Sequence, residues 1–187
     1  LIYGHGTGGH YRSGIQWSGD MAGIGVAVLG IDGAMHGPRQ GLTPWRDPGP
    51  LFYNFLNPAA SRGNLFQGAA DNFSLVRWAR EFNGTLGSLD VSFDDARIGY
   101  MGHSQGATTG PIFVPWEDGI KGAVFTGAGG SLVWGLLGKK QPYESSIGLR
   151  AGFQEVHVDE THPVLNLIQW AFDGTDPQLY APLMAAK

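Results

Sequence analysis

The stretch that most narrows what this chain can fold into runs from Arg97 to Gly110, Arg-Ile-Gly-Tyr-Met-Gly-His-Ser-Gln-Gly-Ala-Thr-Thr-Gly. A short apolar run, Ile98 to Met101, leads into Gly102-His103-Ser104-Gln105-Gly106, and small residues able to open a helix follow. In the spacing G-x-S-x-G the serine sits on a sharp strand-to-helix turn. Side chains two before or two after it would collide with the neighbouring strand and helix. Such a turn lifts the hydroxyl above the sheet edge and aims the next backbone N–H at an oxyanion formed on attack. Ser104 is therefore the candidate nucleophile and Gln105 a candidate oxyanion donor. A glycine-rich chain produces this pentapeptide by chance, so its weight comes from the preceding strand and from a second motif upstream.

That second motif follows the first strand-like run, in Leu1 to Gly9, as Gly4-His5-Gly6-Thr7-Gly8-Gly9. A glycine loop directly after a strand lets backbone N–H groups approach a bound phosphate or oxyanion. A phosphate loop needs a Lys-Ser/Thr after the glycines, or the spacing G-x-G-x-x-G, and neither is present. An oxyanion loop of the His-Gly-x type fits, with Thr7 as the second donor. His5, Gly6 and His103 flank the two donors and are candidate binding residues.

Four apolar runs read as buried strands of a parallel sheet: the first at the N-terminus, Ile24 to Ile31, Ile98 to Met101, and Ile120 to Thr126. Between them, His10 to Gly19 is polar and reads as a loop or ragged helix start. Thr43 to Pro58, with Pro44, Trp45, Pro48, Pro50 and Pro58, reads as an irregular excursion. Leu65, Ala69, Phe73 and Val76 mark one face of a helix that opens at Pro58 and ends before Asn83-Gly84. Gln67 and Asp71, four apart on it, read as a solvated or capping pair. Asp90 to Asp95 is expected to be a turn, and the helix after Ser104 to be short or interrupted by Pro111. A short apolar helix is expected over Ser131–Leu137, then a polar connector to about Asp159. Two further helices open at Pro163 and Pro177, with Thr161 or His162 and then Asp176 as caps. The first of these is apolar almost all round and needs a covering layer or an apolar pocket beneath it. Asp32 and His36, after the second strand, read first as turn formers. The run His157-Val-Asp159-Glu-Thr-His162 matches no familiar zinc spacing.

The 187 residues suit one domain. A net charge of −4 without a basic, aromatic-interleaved stretch argues against nucleic acid, and no apolar run approaches the roughly 18–20 residues of a membrane span. The absence of cysteine excludes disulfides and thiolate metal sites. The chain opens inside a strand-like run and closes in a helix, so a fragment of a longer domain is expected.

On these residues the chain resembles the middle of an α/β-hydrolase, and more narrowly the bacterial lipases and esterases. His5-Gly6-Thr7-Gly8-Gly9 matches the family's oxyanion loop and Gly102-His103-Ser104-Gln105-Gly106 its nucleophile elbow. Asn57-Pro58-Ala59-Ala60-Ser61-Arg62 with Gln67 and Asp71, and His162 to Pro177, resemble lipase-like segments less specifically. The resemblance implies an α/β three-layer sandwich with a mostly parallel sheet, strands in the order second, first, third, fourth, and 131–187 as a cap-like helical region. It implies two further strands before Leu1 and two after Lys187. The function implied is hydrolysis of a small-molecule or lipid ester through a Ser104 acyl-enzyme, with no cofactor. The family's acid and histidine would follow Ser104 in the chain. His157 and His162 are the only histidines there, and neither is expected to reach it. A non-catalytic binding domain on the same scaffold remains an alternative. So does an acyltransferase or peptidase, because all these reactions share the acyl-enzyme.

Overall fold

The computed structural model describes residues 1–44, 46–55, 57–140 and 144–187. Trp45 of the irregular excursion and 141–143 of the polar connector lie outside the described residues. The fold is α/β. Strands β1 (Ile2–Gly4), β2 (Leu29–Gly30), β5 (Ile98–His103) and β6 (Ile120–Thr126) form an all-parallel sheet in the order β2-β1-β5-β6, flanked by helices. That is the expected order. Ile2 pairs with Tyr100 and Tyr3 with Met101, which brings the ends of both glycine motifs to one edge. Ile2 and Tyr3 point to opposite faces and both are buried, as expected of a strand with layers on each side.

The remaining elements are α1 (Ile15–Gly23), α2 (Pro48–Phe52), α3 (Pro58–Glu81), β3 (Asn83–Leu86), β4 (Leu89–Ser92), α4 (Gln105–Phe113), α5 (Leu132–Gly138), α6 (Ser145–Phe153), α7 (Pro163–Phe172) and α8 (Pro177–Ala185). Leu65, Ala69 and Val76 of α3 are buried and join Phe113, Ile112, Tyr100 and Phe172 in the main core. α4 is buried along its whole length because its sheet-facing side carries no bulk. A β-carbon on Gly106 would come within 2.1 Å of the Gly4 carbonyl oxygen, and one on Gly110 within 2.5 Å of the Phe125 ring. On its other side Thr109 packs into α3 at Gly68. Pro111 falls near the end of this helix, which continues through it into a 3₁₀ turn over Val114–Trp116.

Four elements differ from expectation. The second strand is two residues long rather than the run from Ile24 to Ile31, and Ile24 is exposed. The reason is that α1 takes up Met21–Gly23 and closes in a Schellman motif. Gly25 stands at φ 76°, its N–H donates to Ala22, and the Val26 N–H donates to Met21. The expected turn over Asp90–Asp95 is partly the second arm of the antiparallel hairpin β3–β4. Gly87, at φ 65°, opens its two-residue loop. Within the proline-rich excursion, Asp47 caps α2 by accepting from the Gly49 N–H, with Pro48 at the first helical position. The polar connector contains α6. Gly148 and Gly152 mask it in the sequence because glycine is a poor helix former. In the fold they line an apolar groove with Val164, Leu167 and Ile168 of α7.

Glycine's two roles here give opposite outcomes on substitution. Gly106→Ala drives a methyl into backbone and should cost about 4 kcal/mol or more. Gly63→Ala sits in α3 with no atom near its β-carbon and should gain about 0.5–1 kcal/mol. Urea denaturation midpoints of the two variants against the parent check both signs.

Candidate active site

Ser104 stands at the junction of β5 and α4 with φ 51° and ψ −109°. A non-glycine residue there costs about 1–3 kcal/mol and persists only where its surroundings overdetermine it. They do: the Ser104 N–H donates to the Thr126 carbonyl at 2.8 Å, and its own carbonyl accepts from the Thr108 N–H at 3.0 Å. Gly102 and Gly106 leave no alternative, since a β-carbon on Gly102 would lie 2.5 Å from the Gly106 carbonyl oxygen. The Tyr100 hydroxyl donates to that same oxygen from within the core.

The upstream glycine loop is a tight turn. The Gly9 N–H donates to the Gly6 carbonyl at 2.9 Å, with Thr7 and Gly8 between them. Gly8 has φ 81°, the value a type II turn requires at its third position. The turn lies against the elbow: a β-carbon on Gly6 would sit 3.2 Å from the Ser104 β-carbon. The Gly106 N–H donates to the His5 carbonyl at 3.1 Å, and the Thr7 hydroxyl donates to Gln105 Oε1 at 3.2 Å. Among the described residues the backbone N–H groups of Thr7 and Gln105 make no hydrogen bond. Gln105, as the first residue of α4, has no intrahelical acceptor for its N–H. The two expected oxyanion donors are thus both unspent and both on segments that flank Ser104.

Ser104 opens onto a cavity of about 970 Å³. Leu132 and Leu136 of α5, Ile147 and Leu149 of α6, and Tyr53 and Phe55 supply its apolar lining, and Lys139, Lys140 and Glu144 its charged part. Of the region 131–187, α5 and α6 line this cavity, whereas α7 and α8 pack against α3 and α4. One carboxylate ties α5, α7 and α8 together. Asp176, buried, caps α8 at the Gln178 N–H and also accepts from the Leu132 N–H of α5 and from Gln169 Nε2 of α7.

The histidines divide differently from expectation. His5, expected among the binding residues, is buried and has both ring nitrogens in use. Its Nδ1 lies 2.8 Å from the Gly6 carbonyl and its Nε2 accepts from the Gly33 N–H at 2.9 Å. His103, also expected to bind, is exposed, is not among the cavity's lining residues, and pairs through Nδ1 with the Thr126 hydroxyl at 2.9 Å. Gly6 keeps its place beside Ser104. His36 is fully buried, with Nδ1 2.8 Å from the Ala34 carbonyl and Nε2 accepting from the Gly8 N–H at 3.1 Å. It is a turn former, as expected, but also a contact to the Gly6–Gly9 turn that the sequence did not reveal. The available signal was that His5-Gly6 and His36-Gly37 both follow neighbouring strands. Asp32 accepts from the Tyr11 N–H. Arg39 pairs with Asp71, which also accepts from Gln67, so that expected solvated pair is part of a three-residue network.

After Ser104, His157 is exposed and His162 caps α7, stacks on Phe153 and pairs with Glu155 at 3.3 Å. Among the described residues neither bonds the Ser104 hydroxyl, and no other residue does so. Among the described residues no group of three or more His, Cys, Asp or Glu side chains could hold a metal ion, and no helix is long and apolar enough to cross a membrane. In comparisons with known proteins, no family model, no curated protein and no solved structure matches the chain.

Burial pushes the His5 and His36 imidazoles below the ordinary histidine value of 6.5, because the charged form would lose its hydration. Between the folded and unfolded values the unfolded chain binds more protons, so stability falls as pH falls. Their contribution is complete above about pH 6.5 and declines below it. Urea midpoints measured from pH 8 to pH 5 should be level and then drop; a level profile down to pH 5 contradicts this assignment.

Proposed function

We propose that this chain carries the nucleophile and oxyanion hole of a serine hydrolase acting on carboxylic esters, of the α/β-hydrolase kind its motifs resemble. One observation carries the proposal: Ser104 is held in a sparsely populated conformation above the sheet edge, flanked by two unspent backbone N–H donors, at the floor of a mostly apolar cavity. Strain of this kind collects where chemistry needs a side chain presented.

In this mechanism the acyl group of the ester lies among Leu132, Leu136, Ile147 and Leu149. The Ser104 Oγ attacks the carbonyl carbon, and the oxygen becomes an oxyanion facing the N–H groups of Thr7 and Gln105. Each such donor is typically worth about 3 kcal/mol of barrier. A base from solution takes the Ser104 proton, the C–O bond to the alkoxide breaks and the alcohol leaves with that proton. Water, giving a proton to the same base, then attacks the acyl-enzyme through the same oxyanion position, releasing the acid and restoring the Ser104 hydroxyl.

A second reading, a non-catalytic domain that binds an apolar ligand, is favoured by the absence of any base bonded to Ser104 among the described residues. Chemical rescue separates the two. The chain alone should turn over p-nitrophenyl esters slowly, and added imidazole should raise the rate by supplying a base through the cavity. Ser104→Ala should abolish that increment and leave only imidazole's own solution rate. Equal rates for parent and Ser104→Ala at every imidazole concentration would sink the hydrolase proposal in favour of ligand binding.

A further inference from the structure

We propose that His5 and His36 form a reciprocal brace that positions the oxyanion loop and releases it on acidification, so that the reactivity of Ser104 depends on two histidines that never touch it. The proposal rests on the hydrolase reading above and names the residues that hold its oxyanion donor in place.

The brace is reciprocal in its connections. His5 leads directly into the Gly6–Gly9 turn and accepts from Gly33 in the loop after β2. His36 belongs to that loop and accepts from Gly8 in the turn. Each segment thus lends an imidazole to the other's backbone, and the rings meet edge-on with centroids 4.8 Å apart. The Gly8 N–H immediately follows Thr7, so the His36 contact fixes the peptide on one side of the proposed donor. On the other side the Gly6 carbonyl is held by His5 Nδ1 and the Gly9 N–H.

This geometry admits one protonation state. In both rings Nε2 faces a backbone N–H and must be unprotonated, while Nδ1 faces a carbonyl and must carry the proton. A second proton would set N–H against N–H in a buried place and open the contact. Charged groups around the rings pull in both directions: Asp32 favours the proton on either ring, Asp47 favours it on His36, Arg39 opposes it on His36, and His10 opposes it on His5. Each histidine also opposes the other, since two adjacent imidazolium rings repel.

A second observation comes from the backbone. The loop that presents His36 is itself a turn, the His36 N–H donating to the Gly33 carbonyl. Met35, at its third position, has φ 60°. A methionine in the left-handed region is strained, and together with Ser104 and Gln154 it makes up the described non-glycine residues with positive φ. Two of those three lie on segments that build the site. Strain at Met35 is the cost of presenting His36 toward Gly8.

The test has one arm without chemistry and one with it. In the first, ¹⁵N-resolved NMR follows the amides of Gly8 and Gly33 and the imidazole nitrogens from pH 8 to pH 5. Both rings should be Nδ1–H at neutral pH, and the two amides should shift with the ring titrations at midpoints below 6.5. In the second, mass spectrometry times the labelling of Ser104 by a fluorophosphonate. The parent rate should fall with the same midpoint. His36→Ala should lower the neutral-pH rate at least tenfold with its circular dichroism unchanged. His36→Gln, which keeps an acceptor near the Nε2 position but does not titrate, should restore the rate and remove the acid fall due to His36. A Gly8 amide indifferent to the titration of His36, or His36→Ala labelled at the parent rate, overturns the brace. A parent Ser104 labelled no faster than in urea overturns the hydrolase reading, and the NMR arm still decides whether the brace exists.

Discussion

Gly4 at the end of β1, Gly102 in β5 and Gly106 in the first turn of α4 meet backbone to backbone, and the architecture of the site depends on that contact. A β-carbon at Gly4 would lie 2.2 Å from the Tyr100 hydroxyl oxygen, and one at Gly106 would lie on the Gly4 carbonyl. With no side chains in the way, α4 starts directly over the sheet edge, and the chain between Gly102 and Gly106 must turn within a residue or two. The left-handed conformation of Ser104 is the consequence. The hydrogen bond from the Gly106 N–H to the His5 carbonyl locks the same contact to the glycine loop. The geometry of Ser104 and that of the glycine loop are therefore one packing event rather than two.

The cavity above that edge has a different origin. Apart from Ser104, Thr108 and the 127–129 segment, its lining comes from α5, α6, the residues between them and the segment around α2, none of which belongs to the sheet. The position of α5 is set by its N-terminus, where Ser131 caps it and the Leu132 N–H reaches the buried Asp176 carboxylate. Asp176 satisfies donors on three helices at once, which makes a charged group stabilising in a buried place where an unpaired one would be costly. Through it the helices packed on α3 and α4 hold one wall of the cavity. On the far side α7 still presents Leu167 and Trp170 to solvent, so its apolar surface is only partly covered by α6 and the core.

The sheet and the elbow were legible in the sequence because their signals are local. Ile98 to Met101 is apolar without interruption, Gly102 and Gly106 bracket Ser104, and Pro163 and Pro177 announce two helices at their first turns. The Schellman close of α1 was misread because Gly25 lies inside an apolar run, where a helix stop looks like a strand glycine. The hairpin was missed although Gly87 between Leu86 and Leu89 is a hairpin signal. Its two arms are largely exposed, so no buried alternation marked them. In α6, Gly148 and Gly152 lowered helix propensity in order to shape a groove, a tertiary reason that overrides the local one.

By itself the sequence determined the α/β class and the serine at a strand-to-helix turn. These follow from the apolar runs, from glycines a few residues apart, and from motifs contiguous along the chain. Only the tertiary structure decided what the histidines do. His5 and His36 are far apart along the chain and meet because β1 and β2 are neighbours. Each ring's role is then set by whether a backbone N–H or a carbonyl faces it. The tertiary structure likewise decided that Thr7 and Gln105 keep their N–H groups free and that no described side chain bonds the Ser104 hydroxyl. A residue type states which bonds a group can make. Which partner it meets is fixed by packing between segments that the sequence keeps far apart.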